Sequence, residues 1–288
     1  MASNTGSLKR PRGGPISAIV DWIADLGGLM MNWVVTVGDV AEFFLRTLSW
    51  IGRRAPRADT LLPNFYQIGV LSLPVVALTG TFIGMVLAVQ SHSQFRLLHL
   101  ETRLGAVINM SLVRELGPVL AATMLAGRVG SAMAAELGTM RVTEQIDALA
   151  SMGANPIQYL VVPRFLACLV LIPTLTIMAD FMGVVGGAAY SIYALGIDSN
   201  HYCQNSQDYV GAYDLFSGVF KSLFFGAAIA LVSCYRGFHC DPGAEGVGRA
   251  ATSAFVISFV LILVLDFFLG IALDEFYLLI WPEGLRLF

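Results

Sequence analysis

Five ionisable residues interrupt the long apolar stretches of this sequence. They are Arg114, Glu115, Asp180, Lys221 and Asp266. A charged side chain inside hydrocarbon costs about 3 kcal/mol or more, so each of the five should face a partner, a polar cavity or the protein interior. Adjacent residues on a helix point about 100° apart, so Arg114 and Glu115 need separate partners.

Lys221 and Asp266 form the best-matched pair among these residues. Counted inward from the ends of their apolar segments, they lie at similar depths of roughly 9 and 12 Å along a helix. We therefore expect them to pair. The five charges are compatible with two interpretations: an ion-pair network that locks helices together, or the polar lining of a lipid cavity with Lys221 or Arg114 near a phosphate headgroup.

The composition predicts the kind of fold that holds these charges. Hydrophobic residues make up 56% and charged residues 13% of the 288, against a usual charged share of about 25%. The mean hydropathy is +0.72. Such a chain has too little polar surface for a water-soluble domain, and its long apolar segments predict an all-α integral membrane protein. The net charge of −3 says nothing about nucleic acid, but the sequence has no basic, aromatic-interleaved patch of the kind that would bind it.

Hydropathy predicts about five transmembrane helices. They span approximately residues 64–90, 104–127, 157–196, 215–236 and 251–273. The third segment is too long for one straight crossing, and Pro173 within it favours a kinked or strongly tilted helix. Residues 197–214 are polar and are interpreted as a loop.

The two ends of the chain differ from the spans. Residues 1–15 are predicted to be a disordered basic tail, and residues 276–288 a non-cytoplasmic tail. Charges interrupt residues 16–58 too often for a crossing of about 20 residues, which predicts amphipathic helices in the membrane interface. A tilted or re-entrant segment is the competing interpretation. In the predicted topology, most of the 17 Lys and Arg residues lie on the same side of the membrane as the N-terminus. Because basic residues concentrate on the cytoplasmic side, this places the N-terminus in the cytoplasm.

Residues 131–152 are predicted to be a single amphipathic helix on the cytoplasmic surface. Ala135, Gly138 and Val142 recur at helical spacing on one side, and Gly153 is suited to ending the helix. Four charged residues occupy the rest of the surface: Glu136, Arg141, Glu144 and Asp147. The helix is interpreted either as a coupling element for a partner ATPase or as a simple connector.

The chain lacks the residues that enzymatic activity would need. A phosphate-binding P-loop requires a lysine after a glycine, and neither Lys9 nor Lys221 follows one. The four histidines are scattered, and the four cysteines lack the paired spacing of a metal or redox motif. We therefore expect a chain that is not an enzyme and holds no metal or cofactor of its own.

The run ELGPVLAATMLAGRVGSAMAAELGTMRVTEQIDAL, with the earlier FIGMVLAVQ and the later GAEGVGRAAT, resembles the MlaE permease family. The resemblance covers roughly residues 60–275 and implies a permease domain over 59–275. Members of this family are the membrane subunits of MCE-type ABC transporters, which move lipids between membranes. The resemblance implies a homodimer with a lipid cavity at its interface, a cytoplasmic ATPase that binds ATP, and an MCE-domain protein on the other face.

The alternative function is a self-contained, proton-coupled secondary transporter with Glu115, Asp180 or Asp266 as proton carrier. Such transporters are commonly built from internal repeats, and this sequence has none that we detect. A purely structural scaffold fits poorly with so many buried charges.

The N-terminus does not read as a transit peptide, so we expect a bacterial cytoplasmic membrane. Apolar residues on the first, second and fifth spans are the candidates for a lipid chamber: Leu73, Val76, Leu78, Leu112, Leu116, Leu120, Phe255 and Phe259.

Overall fold

The fold is known from a computed structural model, which describes residues 15–53, 58–97 and 104–280. The chain divides into two units, Met1–Arg46 and Thr47–Phe288. The first helix, α1, runs over Pro15–Arg53 as one element of 39 residues. The predicted tail at 1–15 lies outside the described residues except for Pro15, and so does the end of the predicted tail at 276–288.

The rest of the described chain is helical, without a β-strand. After α1, the helices follow in this order: α2 (Ala58–Ile68), α3 (Leu73–Leu97), α4 (Leu104–Val142), α5 (Gln145–Ser151), α6 (Ile157–Tyr193), α7 (Ser199–Tyr209), α8 (Ala212–Phe238) and α9 (Ala244–Ile280). A short 3-10 turn at Val70–Ser72 joins α2 to α3. Two π-helical turns, Leu112–Leu116 and Ala126–Gly130, lie within α4.

Five helical segments of the described chain are long and apolar enough to cross a membrane. They are Asp59–Leu97, Leu104–Val142, Ile157–Tyr193, Ala212–Phe238 and Ala244–Leu279. The prediction of an all-α membrane protein with about five spans is confirmed. The single helix α1 is not among these candidates, so its place in the membrane interface remains a prediction.

The prediction of a single surface helix over 131–152 is wrong. Residues 131–142 are the last turns of α4, where Met133, Ala134 and Leu137 are buried. They pack against α8 and α9: a Cβ added to Gly237 on α8 would lie 2.6 Å from Leu137 Cβ. The helix ends at Val142, with Thr143 as its C-cap, and Glu144 adopts a left-handed conformation with φ 59° before the short helix α5 begins. Gly153, at φ +77°, then ends α5, as predicted.

The polar segment 197–214 is also not simply a loop, because it contains α7. Tyr202 anchors α7 against the first turns of α4: its hydroxyl donates to Asn109 Oδ1 at 3.4 Å, and Asn109 Nδ2 donates to Ser206 Oγ at 2.9 Å. Burial raises the pKa of the Tyr202 phenol above its usual value. The sequence did not indicate this helix because Tyr202 is its only buried residue.

The central helix is α6, which packs on α2, α3, α4 and α8. It continues through Pro173 as one element. Its closest neighbour is α3, where Gly80 and Gly84 meet its backbone: a Cβ on Gly84 would lie 1.9 Å from the carbonyl oxygen of Gly183. Gly80 and Gly84 therefore form the close contact between α3 and α6. Small residues at such contacts let the backbones of membrane helices approach closely, and the resulting van der Waals contacts stabilise the helix pair. Larger side chains would hold the helices apart.

Gly84→Ala should therefore destabilise the protein. The added methyl group cannot fit without separating α3 from α6, and overpacking of this kind costs about 1–3 kcal/mol. The measurement is the thermal midpoint of the purified protein in detergent.

Gly248→Ala is the matched control. Gly248 lies in α9 with nothing within 4 Å of its added Cβ, so alanine should be neutral or stabilise the helix by up to about 1 kcal/mol. Equal midpoints for the two variants would contradict the close contact between α3 and α6.

Candidate functional site

Three of the five predicted intramembrane charges form one connected group. The Lys221 ammonium on α8 lies 2.6 Å from Glu115 Oε2 on α4 and 3.2 Å from Asp266 Oδ1 on α9. The predicted pairing of Lys221 with Asp266 is confirmed, and Glu115 is a second partner that the sequence did not indicate. The three charges hold α4, α8 and α9 together at one level of the bundle.

Arg114 is directed to a different pair of carboxylates, as its position next to Glu115 on the helix requires. Its guanidinium is ion-paired with Asp274 on α9 and lies 4.0 Å from Asp214 on α8. Sequence reasoning missed both acids because the predicted spans began at 215 and ended at 273. The helical spacing of seven residues between Asp214 and Lys221 places them on the same side of α8, and that signal could have found Asp214.

These six residues form the charge cluster of the protein: Arg114, Glu115, Asp214, Lys221, Asp266 and Asp274. Two cations in it meet four carboxylates. The side chain of Lys221 is only 1% exposed, whereas that of Glu115 is 43% exposed. Each cation is therefore already neutralised by acids of the same chain, and an anionic ligand at either one would have to displace a carboxylate.

Asp180 does not join the charge cluster. It is 3% exposed on α6, and neither carboxyl oxygen has a hydrogen-bond partner among the described residues. Its Oδ1 lies against Gly117 on α4, where an added Cβ would approach to 1.7 Å. The structure thus places Asp180 in the contact between two helices of one chain, apart from the other four predicted charges.

An apolar cavity of about 630 Å³ opens between α8 and α9 beside the charge cluster. Tyr213, next to Asp214, and Leu273, next to Asp274, are in its wall, and the Tyr213 hydroxyl donates to the Leu273 carbonyl at 2.5 Å. The remaining lining residues are Phe216, Phe220, Leu269, Ala272, Phe276 and Tyr277. The cavity offers almost only hydrocarbon and aromatic surface, with charges at one border.

The predicted chamber residues are not the ones that line this cavity. Val76 and Leu112 are 0% and 1% exposed and pack inside the bundle, so their assignment to a chamber wall is wrong. Leu78, Phe255 and four others are at least partly exposed on the outer surfaces of their helices. Nearly every position in these spans is apolar, so residue type alone could not distinguish residues that line a cavity from residues that pack inside the bundle.

At the other end of α4, the four residues predicted to contact an ATPase have different environments. Glu136 lies 3.0 Å from Arg164, whose buried side chain also donates to the Leu160 carbonyl at 2.8 Å. Arg141 and Asp147 pair across the helix break at 2.6 Å. Glu144 is exposed and forms no ion pair with any residue the structure describes. Sequence reasoning missed the role of Arg164 in fixing this end of α4 to α6.

Five candidate spans with ion-paired charges buried between them describe a polytopic membrane protein, and charges in that position are typical of transporters. The family model for "Permease MlaE" matches residues 61–272. The chain belongs to the MlaE permease family, as the resemblance over residues 60–275 implied.

Individual relatives agree with this assignment. A "Probable ABC transporter permease protein" of Rickettsia felis is 42% identical over 242 residues, which cover 84% of this chain and 93% of the relative. The "Intermembrane phospholipid transport system permease protein MlaE" of Haemophilus influenzae is 34% identical over 252 residues, which cover 87% and 97%. The chloroplastic protein TRIGALACTOSYLDIACYLGLYCEROL 1 of Arabidopsis thaliana is 41% identical over 209 residues, which cover 73% and 60%.

Substitutions in the charge cluster should show which member stabilises the others. Lys221→Met leaves Glu115 and Asp266 facing each other without a cation and should be the most destabilising, by about 3 kcal/mol or more. Asp266→Asn should be milder, because Lys221 keeps its 2.6 Å contact with Glu115. The measurement is the thermal midpoint and the yield of monodisperse protein.

The neutral triple variant Glu115→Gln, Lys221→Met, Asp266→Asn tests the electrostatic cause. It removes every charge of this group and should recover part of the stability that Lys221→Met loses. If the triple variant is as unstable as the sum of its single substitutions, the three residues do not act as one electrostatic group.

Proposed function

We propose that this chain is the permease subunit of an ABC transporter that moves phospholipid or a related lipid between membranes, powered by a separate ATPase subunit. The observation that carries the proposal is the charge cluster at the border of an apolar cavity, in a chain of the MlaE permease family. A diacyl lipid has the same contrast of a charged headgroup and apolar chains. The cavity of about 630 Å³ is within the roughly 300–1,000 Å³ typical of ligand pockets.

The proposal includes partners for this chain. Two relatives carry names that refer to ABC transport and to intermembrane phospholipid transport, which supports an ATPase partner and a lipid substrate. In this proposal the permease is a homodimer, ATP is bound by the partner ATPase, and an MCE-domain protein lies on the non-cytoplasmic face. The concentration of basic residues on one side supports a cytoplasmic N-terminus in a bacterial inner membrane.

The contact with the ATPase is proposed to lie at the break between α4 and α5. Glu144 is the one predicted coupling residue without an ion pair among the described residues, so its charge is available to a partner. Glu144 lies in the left-handed turn that follows α4. Glu115 of the charge cluster lies on the same helix, α4. Motion at this turn would therefore act on the charge cluster through one continuous helix.

The experiment that tests the function combines lipid identification with transport. The permease is purified with its cognate ATPase, bound lipid is identified by mass spectrometry, and lipid movement between vesicles is followed with ATP and with a pH gradient. We expect bound diacyl lipid and movement that requires ATP hydrolysis. Movement driven by the pH gradient without the ATPase, and without bound lipid, would instead support the proton-coupled transporter.

Glu144→Lys should weaken association with the ATPase, because a reversed charge at a docking surface opposes its partner by several kcal/mol. Glu144→Asn removes the charge while tolerating the left-handed backbone, and its effect should be intermediate. Association is measured by co-purification and by ATP hydrolysis per complex.

Glu275→Lys is the matched control, because Glu275 is an exposed acid near the opposite end of the spans. It should leave ATPase association unchanged. Full association of the Glu144→Lys permease would contradict a coupling role for this turn and favour a simple connector.

A further inference from the structure

A second cavity lies toward the other end of α4 from the charge cluster. Its volume is about 270 Å³, and it is formed by α2 and the 3-10 turn on one side and α4 on the other. Its polar lining comes from Asn64, Gln67 and Arg128, and its apolar lining from Ile68, Leu71, Val129, Ala132 and Met133. Unlike the first cavity, it combines a cation and two amides with an apolar wall.

The cavity lies beside the ends of two spans as hydropathy predicts them. The first predicted span starts at Asn64 and the second ends at residue 127, although both helices continue past these points, over Asp59–Leu97 and Leu104–Val142. On the hydropathy bounds, the cavity lies near the depth of a lipid headgroup. Arg128 follows Arg114 by 14 residues on α4, which corresponds to about 20 Å along the helix axis. The two arginines are therefore separated by roughly two thirds of the ~30 Å hydrocarbon thickness.

Arg128 differs from the cations of the charge cluster because no carboxylate of the described residues neutralises it. Among the residues the structure describes, it forms no ion pair, and no acid lines its cavity. Its guanidinium donates one hydrogen bond, to the buried Ser72 hydroxyl, which itself donates to the Ile68 carbonyl at 2.5 Å. Ser72 thus fixes one side of a group that has five N–H donors.

A half-buried guanidinium with spare donors suits a particular kind of ligand. Its planar fork matches the oxygens of a phosphate, and such charge-assisted bonds are about twice as strong as neutral ones. The Gln67 amide adds further donors, and so does the second N–H of Asn64, whose Nδ2 also donates to the Thr60 carbonyl at 2.7 Å. The volume is slightly below the roughly 300 Å³ at which pockets for whole small molecules begin, which fits a headgroup with the first carbons of its chains.

We propose that Arg128, Asn64 and Gln67 bind the phosphate of a phospholipid in the leaflet on the α5 side of the membrane. The acyl chains would leave the cavity along Leu71, Val129 and Met133 toward the hydrocarbon. This inference rests on the proposed lipid-transport function and adds a second lipid site, distinct from the apolar cavity at the charge cluster. It also narrows the substrate class to lipids that carry a phosphate.

The test is titration of the delipidated permease–ATPase complex with phosphatidylglycerol, followed by native mass spectrometry. Arg128→Gln should weaken binding of one lipid per protomer by about tenfold or more, the usual effect of losing a charged hydrogen bond. Diacylglycerol with the same chains lacks the phosphate and should bind this site poorly in both proteins. A photoactivatable phosphatidylglycerol should label peptides containing residues 64–72 or 128–133.

Two further variants separate binding from folding. Ala132→Phe fills the cavity without altering Arg128 and should also release the lipid. Arg249→Gln removes an exposed arginine that is 3.5 Å from Asp241, and it should leave lipid binding unchanged.

Three outcomes would overturn the inference. The first is equal phosphatidylglycerol binding by the wild-type and Arg128→Gln complexes. The second is binding of inorganic phosphate at this site as tightly as phosphatidylglycerol, which would identify a free-anion site. The third is loss of the ATPase, with lipid retained, on substitution of Arg128, which would identify a protein contact. In each case ATP-driven lipid movement by the wild-type complex would leave the proposed function intact, whereas failure of that movement would count against the function itself.

Discussion

The structure depends on the burial of the Lys221 ammonium between two carboxylates. An ammonium that is 1% exposed within a membrane bundle is tolerated only where acids of other helices come within contact distance. Glu115 and Asp266 meet that requirement from α4 and α9, which fixes the heights of three helices relative to one another. A second set of charges links the same three helices: Arg114 on α4 faces Asp214 on α8 and Asp274 on α9. The apolar cavity between α8 and α9 lies beside this framework.

Charge is distributed unequally between the two ends of α4. Near Arg114 and Lys221, acids outnumber bases, so each cation is already neutralised within the chain. Near Arg128 the balance is reversed, because a guanidinium borders a cavity that no acid of the described part of the chain lines. In a lipid transporter, this difference would favour an anionic headgroup at the Arg128 end and give it a weaker hold at the charge cluster.

Close backbone packing makes this framework stiff. Gly84 allows α3 to lie directly on α6, and Gly117 admits the Asp180 side chain between α6 and α4. The Arg164–Glu136 pair fixes the far end of α4 to the start of α6. By contrast, α4 contains two π-helical turns: Leu112–Leu116 includes Arg114 and Glu115 of the charge cluster, and Ala126–Gly130 includes Arg128. Such turns interrupt the regular hydrogen bonding of a helix and occur frequently at functional sites.

The sequence by itself determined the fold class, the number of spans and the family, because long apolar segments and a contiguous motif are local properties of a chain. It also identified Lys221 and Asp266 as partners, since equal depth along two helices follows from counting residues. Only the tertiary structure decided that Glu115 shares Lys221, that Arg114 pairs with Asp274, and that α4 continues to Val142. These outcomes depend on which faces of α4, α8 and α9 meet. In spans where almost every residue is apolar, periodicity does not reveal the inward face, and packing against neighbouring helices selects it.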